Sequence, residues 1–225
     1  MAECAAVLFD LDGTLLDTPT ASAPLLRRVV ARSGRPMPPA NRVRACADLP
    51  MEPAFARLLG LPPGHGLVRL SVHRFQELFR ERVLPDAARL VFPGITELLR
   101  GLRESGHCLA VITGRTRSGA EELLSAAGLR DAVDLVVGSW MTPRGKPYAD
   151  PALLAARTFG IAAQDCVVVG DAVEDALMAS AAGMRAAGVT FGVDQPGQLV
   201  AAGVTWLVGS AAELRGVLEP GARAR

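Results

Sequence analysis

The sequence predicts an α/β protein: a doubly wound, mainly parallel sheet interrupted after its first strand by an all-helical insertion. Three observations predict this. Four short apolar runs, residues 5–10, 108–113, 133–138 and 166–171, are each followed by a polar or Gly-containing turn and then a helical pattern. The runs are near-continuous in Val, Leu, Ile and Ala rather than alternating, as in parallel strands buried on both faces. Between the first and second runs, residues 17–92 carry helical periodicity only. Strand alternating with helix implies right-handed crossovers between parallel strands.

The first run leads into Asp10-Leu11-Asp12-Gly13-Thr14. In an extended strand, residues i and i+2 point the same way, so Asp10 and Asp12 leave the strand tip together. Two carboxylates held that close raise each other's pKa unless a cation sits between them, and a hard divalent ion with oxygen ligands would relieve the repulsion. Gly13 supplies the backbone freedom needed where the strand stops.

Within 17–92, helices are expected at 21–33 (Leu25, Leu26, Val29, Val30 on one face), 53–59 (Phe55, Leu58, Leu59) and 68–84 (Phe75, Leu78, Phe79, Val83), separated by Pro/Gly clusters at 34–39 and 60–66. Pro93-Gly94 marks the return. The reading is thus a catalytic core of residues 1–16 and 93–225 and a helical domain of residues 17–92. Ligands of such sheets bind beyond the carboxyl ends of the strands, the edge at which the insertion begins, so it is placed to act as a lid.

In the rest of the core, the 96–104 helix presents Leu98, Leu99 and Leu102, with Gly106 as its stop. Helices at 118–127, 151–159 and 173–182 follow the second, third and fourth strands. Weaker strands are expected at 186–189 and 205–208, then a last helix at 211–218, with a frayed tail at 219–225.

Composition narrows the function classes. The chain has 225 residues, half of them hydrophobic and 21% charged, which suits a soluble protein with a substantial core. A formal net charge of +1 and only 4% aromatic residues offer no bulk case for nucleic acid or an anionic membrane. Cys4, Cys46, Cys108 and Cys166 form no Cys-x-x-Cys pair and no zinc spacing, so Cys108 and Cys166 read as buried thiols in a reducing cytoplasm. No basic-then-apolar leader opens the sequence and no apolar run is long enough to span a bilayer.

Each strand end delivers chemistry. The first carries Asp10 and Asp12, the second Thr113-Gly114-Arg115, and the fourth Asp171 with Glu174 and Asp175 behind it. Lys146 follows the third strand; of the 24 basic residues it alone is lysine. Blander readings stand beside these. Asp12-Gly13 suits a turn, Thr113 or Asp171 suits a helix cap, and Lys146 and Arg115 suit a solvated surface. Glu174 reads as a first-turn carboxylate favoured by the helix dipole, and Asp17 as a hinge or cap. His65 has no partner pattern, His73 reads as interfacial on a helix of the insertion, and His107 as a loop residue.

Taken together, Asp10-Leu11-Asp12-Gly13-Thr14, Val111-Ile112-Thr113-Gly114-Arg115, Lys146-Pro147 and Gly170-Asp171-Ala172-Val173-Glu174-Asp175 resemble the haloacid dehalogenase superfamily of phosphatases, in the type with an inserted helical cap and in its phosphoglycolate phosphatase-like branch. The first and fourth motifs are highly specific. The resemblance implies a Rossmann-like core and an Mg²⁺-dependent phosphatase acting on a small phosphorylated metabolite. It implies Asp10 as nucleophile, Asp12 as general acid/base, and Mg²⁺ held by Asp10, the Asp12 carbonyl and Asp171. Thr113, Gly114, Arg115 and Lys146 would bind the phosphate, with Asp175 orienting Lys146 or supporting the metal.

The sequence departs from the family pattern at Gly138-Ser139-Trp140-Met141-Thr142 and Tyr148-Ala149-Asp150-Pro151, near the expected site mouth. Trp140 and Tyr148 are expected to pack against the cap. The alternatives are a phosphotransferase or mutase resembling β-phosphoglucomutase, and a non-enzymatic phospho-acceptor or binding protein. A monomer or a homodimer is expected.

Overall fold

The computed structural model describes residues 6–44, 46 and 49–219, apart from the side chain of Arg44. Cys4 and the tail beyond Glu219 lie outside the described residues. Six parallel strands, β1 (Ala6–Phe9), β2 (Cys108–Thr116), β3 (Leu135–Ser139), β4 (Cys166–Gly170), β5 (Arg185–Val189) and β6 (Trp206–Val208), form one sheet in the order β3-β2-β1-β4-β5-β6. In register, Phe9 lies between Val111 of β2 and Val169 of β4.

The apolar runs divide their side chains between two layers, as the period of two requires. Val7, Phe9, Val111, Val136, Val167 and Val169 belong to one hydrophobic cluster, and Ala6, Leu8, Ala110, Ile112, Val137 and Val168 to the other. The first layer is covered by α5 (Ile95–Glu104), α6 (Arg117–Ala126) and α10 (Ala211–Leu218), the second by α7 (Asp150–Phe159) and α8 (Val173–Ala182). Both faces are therefore dry.

Between β1 and α5 the described residues form helices: α1 (Thr18–Ala31), α2 (Ala40–Arg44), α3 (Met51–Leu59), α4 (Gly66–Arg82) and a 3₁₀ stretch, Leu84–Leu90. Phe55, Phe75 and Phe79 stack in a row between α3 and α4, with centroids 6.0 Å apart at each step. The outgoing and returning chains are tied together where the segment leaves the sheet. Leu16 and Val91 form an antiparallel bridge, and the Asp17 and Phe92 amides donate to Leu90 and Leu15 at 2.8 and 3.1 Å. The cluster that fills the helical segment continues into the first layer of the sheet.

Three helices and one residue of the tail depart from the sequence reading. α2 and α9 (Pro196–Ala201) are too short to show helical periodicity, and α9 opens on Pro196-Gly197, which reads as a turn. The helix expected to run to residue 84 ends at Arg82 because Pro85 cannot continue it, and the chain tightens to 3₁₀. Glu219, expected to fray, is anchored: its amide donates to Arg215 O and its carboxylate accepts from Arg215 Nε, both at 2.9 Å.

Candidate active site

In this strand order the chain direction across the sheet reverses at β1, whose neighbours on the two sides are β2 and β4. The helices after β1 and β4 diverge there, leaving a crevice at the carboxyl ends where ligands bind. Asp10 leaves β1 and Asp171 leaves β4 into that crevice. Asp10 is held by its amide, which donates to Val169 O at 2.8 Å. Asp175, one turn into α8, completes a group: Asp10, Asp171 and Asp175 each present a carboxylate oxygen, all within 4.8 Å of one another.

The chain is shaped to admit these carboxylates. A Cβ at Gly13, where φ is +91°, would be built into the Asp171 carboxylate; one at Gly192 would meet the same group from the other side, and one at Gly170 would meet Asp175. Thr14 Oγ1 donates to Asp171 Oδ1 and the Val193 amide to Oδ2, both at 2.7 Å. The Ala172 amide donates to Asp175 Oδ2 at 3.2 Å. Asp171 is therefore not a helix cap; Ala172 is the N-cap of α8, and Asp175 satisfies its amide.

Lys146 enters from the loop after β3 and pairs with both Asp10 and Asp175, the latter at 2.6 Å. Burial works against its charge, but the two flanking carboxylates hold its ammonium protonated well above the usual range. The surplus of negative charge falls on Asp171, where burial and the neighbouring Asp175 push the carboxyl up to about 6. A buried set of hard oxygen donors, one of them unwilling to ionise without help, fits a small divalent cation such as Mg²⁺.

Asp12 faces away from this group. Arg115 grips its carboxylate with a fork, Nε at 3.0 and 2.8 Å and Nη2 at 2.7 Å, and Thr18 Oγ1 donates to the same group. Burial opposes ionisation of Asp12, yet Arg115, Thr18 and the nearby Lys146 outweigh it and hold the carboxyl below the ordinary range. The Arg115 guanidinium also lies over the Phe79 ring of α4, 4.6 Å from its centroid. Thr113 is buried at the end of the apolar part of β2, and its Oγ1 accepts from the Arg115 amide at 3.2 Å. It does not cap α6, a role taken by Thr116. Gly114 faces Pro50 of the helical segment, 3.5 Å from where a Cβ would stand.

Asp10, Asp12, Thr113, Gly114, Arg115, Lys146 and Asp175 thus line one cleft between the sheet edge and α3–α4, and Asp171 lies fully buried beneath it. Several expectations are corrected. Arg115 is not on a solvated face, because the Asp12 carboxylate and the Phe79 ring both hold it. Trp140 and Tyr148 do not pack against the helical segment. The turn after β3 puts Trp140 at φ 69°, leaving its ring 90% exposed at the cleft mouth, and Tyr148 is half-exposed over Arg144. His73 is solvent-facing and pairs with Glu77 at 3.2 Å rather than filling an interface.

Asp17 caps α1 as expected, with the Thr20 amide at 3.4 Å, and His65 caps α4. Sequence reasoning gave no role to Thr14, although it stands in the quoted motif. It passed over Thr18, Phe79 and the 191–194 loop. No pattern in a single sequence joins Gly192 or Val193 to Asp171, which only the sheet brings beside them.

The chain matches the family model for haloacid dehalogenase-like hydrolases over residues 7–189. It is 41% identical to "Probable phosphatase IndB" of Dickeya dadantii over 93% of this chain and 91% of that protein. It is 31% identical to the phosphoglycolate phosphatase of Nitrosospira multiformis, over 84% and 85% of the two chains. A crystal structure from Haemophilus somnus, described as a predicted phosphoglycolate phosphatase, superposes with a TM-score of 0.84 over 96% of this chain and 99% of its own, at 20% identity.

Proposed function

This chain belongs to the haloacid dehalogenase-like hydrolases, among relatives named phosphatase and phosphoglycolate phosphatase, and on that premise we propose that it hydrolyses a small organic phosphate monoester with Mg²⁺, through an aspartyl-phosphate at Asp10. The observation that carries the reading is the convergence of Asp10, Asp171 and Asp175 around Lys146 at the reversal point of the sheet.

Asp10, Asp171 and the Asp12 carbonyl would hold the ion, with Asp175 beside them; when bound, it offsets charge on the phosphoryl oxygens. Asp10 attacks phosphorus, the P–O bond to the alcohol breaks, and Asp12 supplies the proton the departing alkoxide needs. Water then attacks the phosphorus of the aspartyl-phosphate, Asp12 takes its proton, and the bond to Asp10 breaks. Lys146 lies against the attacking carboxylate, where it counters the charge of the transferring group. Thr113 and the Gly114 amide would hold the phosphoryl oxygens.

Arg115 gives this chain a particular device. Its grip on Asp12 keeps that carboxylate ionised, the form needed to take a proton from water. An arriving phosphate dianion competes for the guanidinium and frees Asp12, which takes up a proton from solvent and passes it to the leaving group. Residues 17–92 serve as the lid over the cleft, and the buried Cys166 thiol suits a reducing cytoplasm, as does Cys46; Cys108, expected to be buried as well, is only partly so.

Asp10→Asn tests the reading. Hydrolysis of p-nitrophenyl phosphate should fall by about 10³-fold or more with an unchanged circular dichroism spectrum, and an active variant would exclude Asp10 as nucleophile.

A further inference from the structure

The cleft holds more room, and a different chemistry, than a two-carbon acid needs. Its cavity is about 680 Å³, within the range of roughly 300–1,000 Å³ that buries a drug-sized ligand. The helical segment is seated while this space remains: Arg80 of α4 reaches Glu122 of α6 at 3.4 Å, and Phe79 covers Arg115. The wall contributed by the helical segment is largely apolar, formed by Met51, Val72, Phe75, Phe79 and Leu84, with the exposed Trp140 also on the cavity's lining.

Charge points the same way. Among the described residues, the basic ones that line the cavity are Arg80, Arg115 and Lys146, and each is already paired with a carboxylate of the chain: Glu122, Asp12, and Asp10 with Asp175; Arg115 leaves Asp12 only for the phosphate. Glu52 and Glu174 line it as well. A carboxylate on the alcohol part of a substrate, as in 2-phosphoglycolate, would enter surroundings of apolar, acidic and neutral polar side chains, with no uncommitted cation among the described residues to meet it. Burying such a charge unpaired is costly.

Resting on the phosphatase reading above, we infer that the substrate is a phosphate monoester whose alcohol part is uncharged and carries a ring-sized apolar surface. The Met51–Val72–Phe75–Phe79 wall receives that surface, and Lys146, Thr113 and the Gly114 amide at the sheet edge receive the phosphate, beside the ion that Asp10 and Asp171 would hold.

The test compares three esters of primary alcohols, so that leaving-group chemistry is matched: ethyl phosphate, 2-phosphoglycolate and 2-phenylethyl phosphate, with Mg²⁺ and the wild-type protein. The kcat/KM for 2-phenylethyl phosphate should exceed that for ethyl phosphate by about tenfold or more, from the added apolar burial, and 2-phosphoglycolate should be the poorest of the three. Gln76→Lys, which adds a cation to the α4 wall, should raise kcat/KM for 2-phosphoglycolate relative to ethyl phosphate by about fivefold, the scale of one partly exposed ion pair. A wild-type preference for 2-phosphoglycolate, or equal use of ethyl and phenylethyl phosphate, overturns the inference and leaves the phosphatase reading intact if p-nitrophenyl phosphate is still hydrolysed. Failure to hydrolyse any ester, p-nitrophenyl phosphate included, overturns both.

Discussion

Replacing Arg115 by Met should destabilise the protein by an amount the structure lets one bound. Methionine keeps the side-chain stem over Phe79 and removes the charge. The Arg115–Asp12 fork is neither on the surface nor sealed in, with side chains 24% and 16% exposed. Exposed pairs contribute about 0–1 kcal/mol, while removing one partner of a buried pair costs about 3–5 kcal/mol. An intermediate loss of about 2 kcal/mol follows, to which the cation–π contact over Phe79 adds about 0.5–1 kcal/mol. For a chain of this length each kcal/mol shifts the melting temperature by about 2–4 °C, so the metal-free variant should melt about 5–12 °C below wild type.

The pH dependence has a definite sign. Burial raises the Asp12 pKa, but Arg115 chiefly and Thr18 in addition bring it below the ordinary carboxylate range. A depressed folded-state pKa contributes stability that is present above the unfolded value and lost as pH falls through the folded one. Melting curves by circular dichroism at pH 7.5 and 5.5 should therefore show the same deficit, which closes only below about pH 4. A variant melting within about 1 °C of wild type at pH 7.5 would refute the assigned role of the fork. So would a deficit that already shrinks between pH 7.5 and 5.5.

Other outcomes are expected. Because burial and Asp175 push Asp171 up to about 6, its proton must leave before a cation binds there; EDTA should stop turnover, Mg²⁺ should restore it, and the rise in melting temperature on adding Mg²⁺ should be large at pH 7.5 and small at pH 5. An equal rise at both pH values would count against Asp171 as a ligand. Gly13→Ala should cost at least about tenfold in kcat, because strain at φ +91° is joined by collision with Asp171. Gly64→Ala, at φ +80° in open space, should lower stability by about 1 kcal/mol with kcat unchanged; equal losses of activity in the two would discard the cradle. Burial, with the nearby Asp165 adding to it, pushes the Cys166 thiol up to about 11, so about one molecule in 10⁴ is thiolate at pH 7. DTNB should label Cys166 only on unfolding, and fast native labelling detected by mass spectrometry would contradict its burial.

Much of the core was legible because each element carries its own local signal. The helix α8 runs over Val173–Ala182 and α10 over Ala211–Leu218, as their apolar spacing and the Gly183 stop require. The strands are recognisable because both sheet faces are covered, which leaves no polar side to interrupt the Val and Ala runs. Lys146 stood out as the one lysine in an arginine-rich chain. Short elements such as α2 and α9 carry too few residues for a period to register.

The sequence by itself determined which residues carry the chemistry and which strand end presents each of them, because alternation along a strand and a turn after it are local properties. Only the tertiary structure decided how those residues share the work. The order β3-β2-β1-β4 places Asp10 beside Asp171, although they lie far apart in the chain. Lys146 then falls between Asp10 and Asp175, and Arg115 on Asp12 and Phe79, pairings that depend on distances through space and have no counterpart in sequence spacing. The size of the cleft and the commitment of its cations belong to the same class, since they arise where helices from one part of the chain rest on strand ends from another.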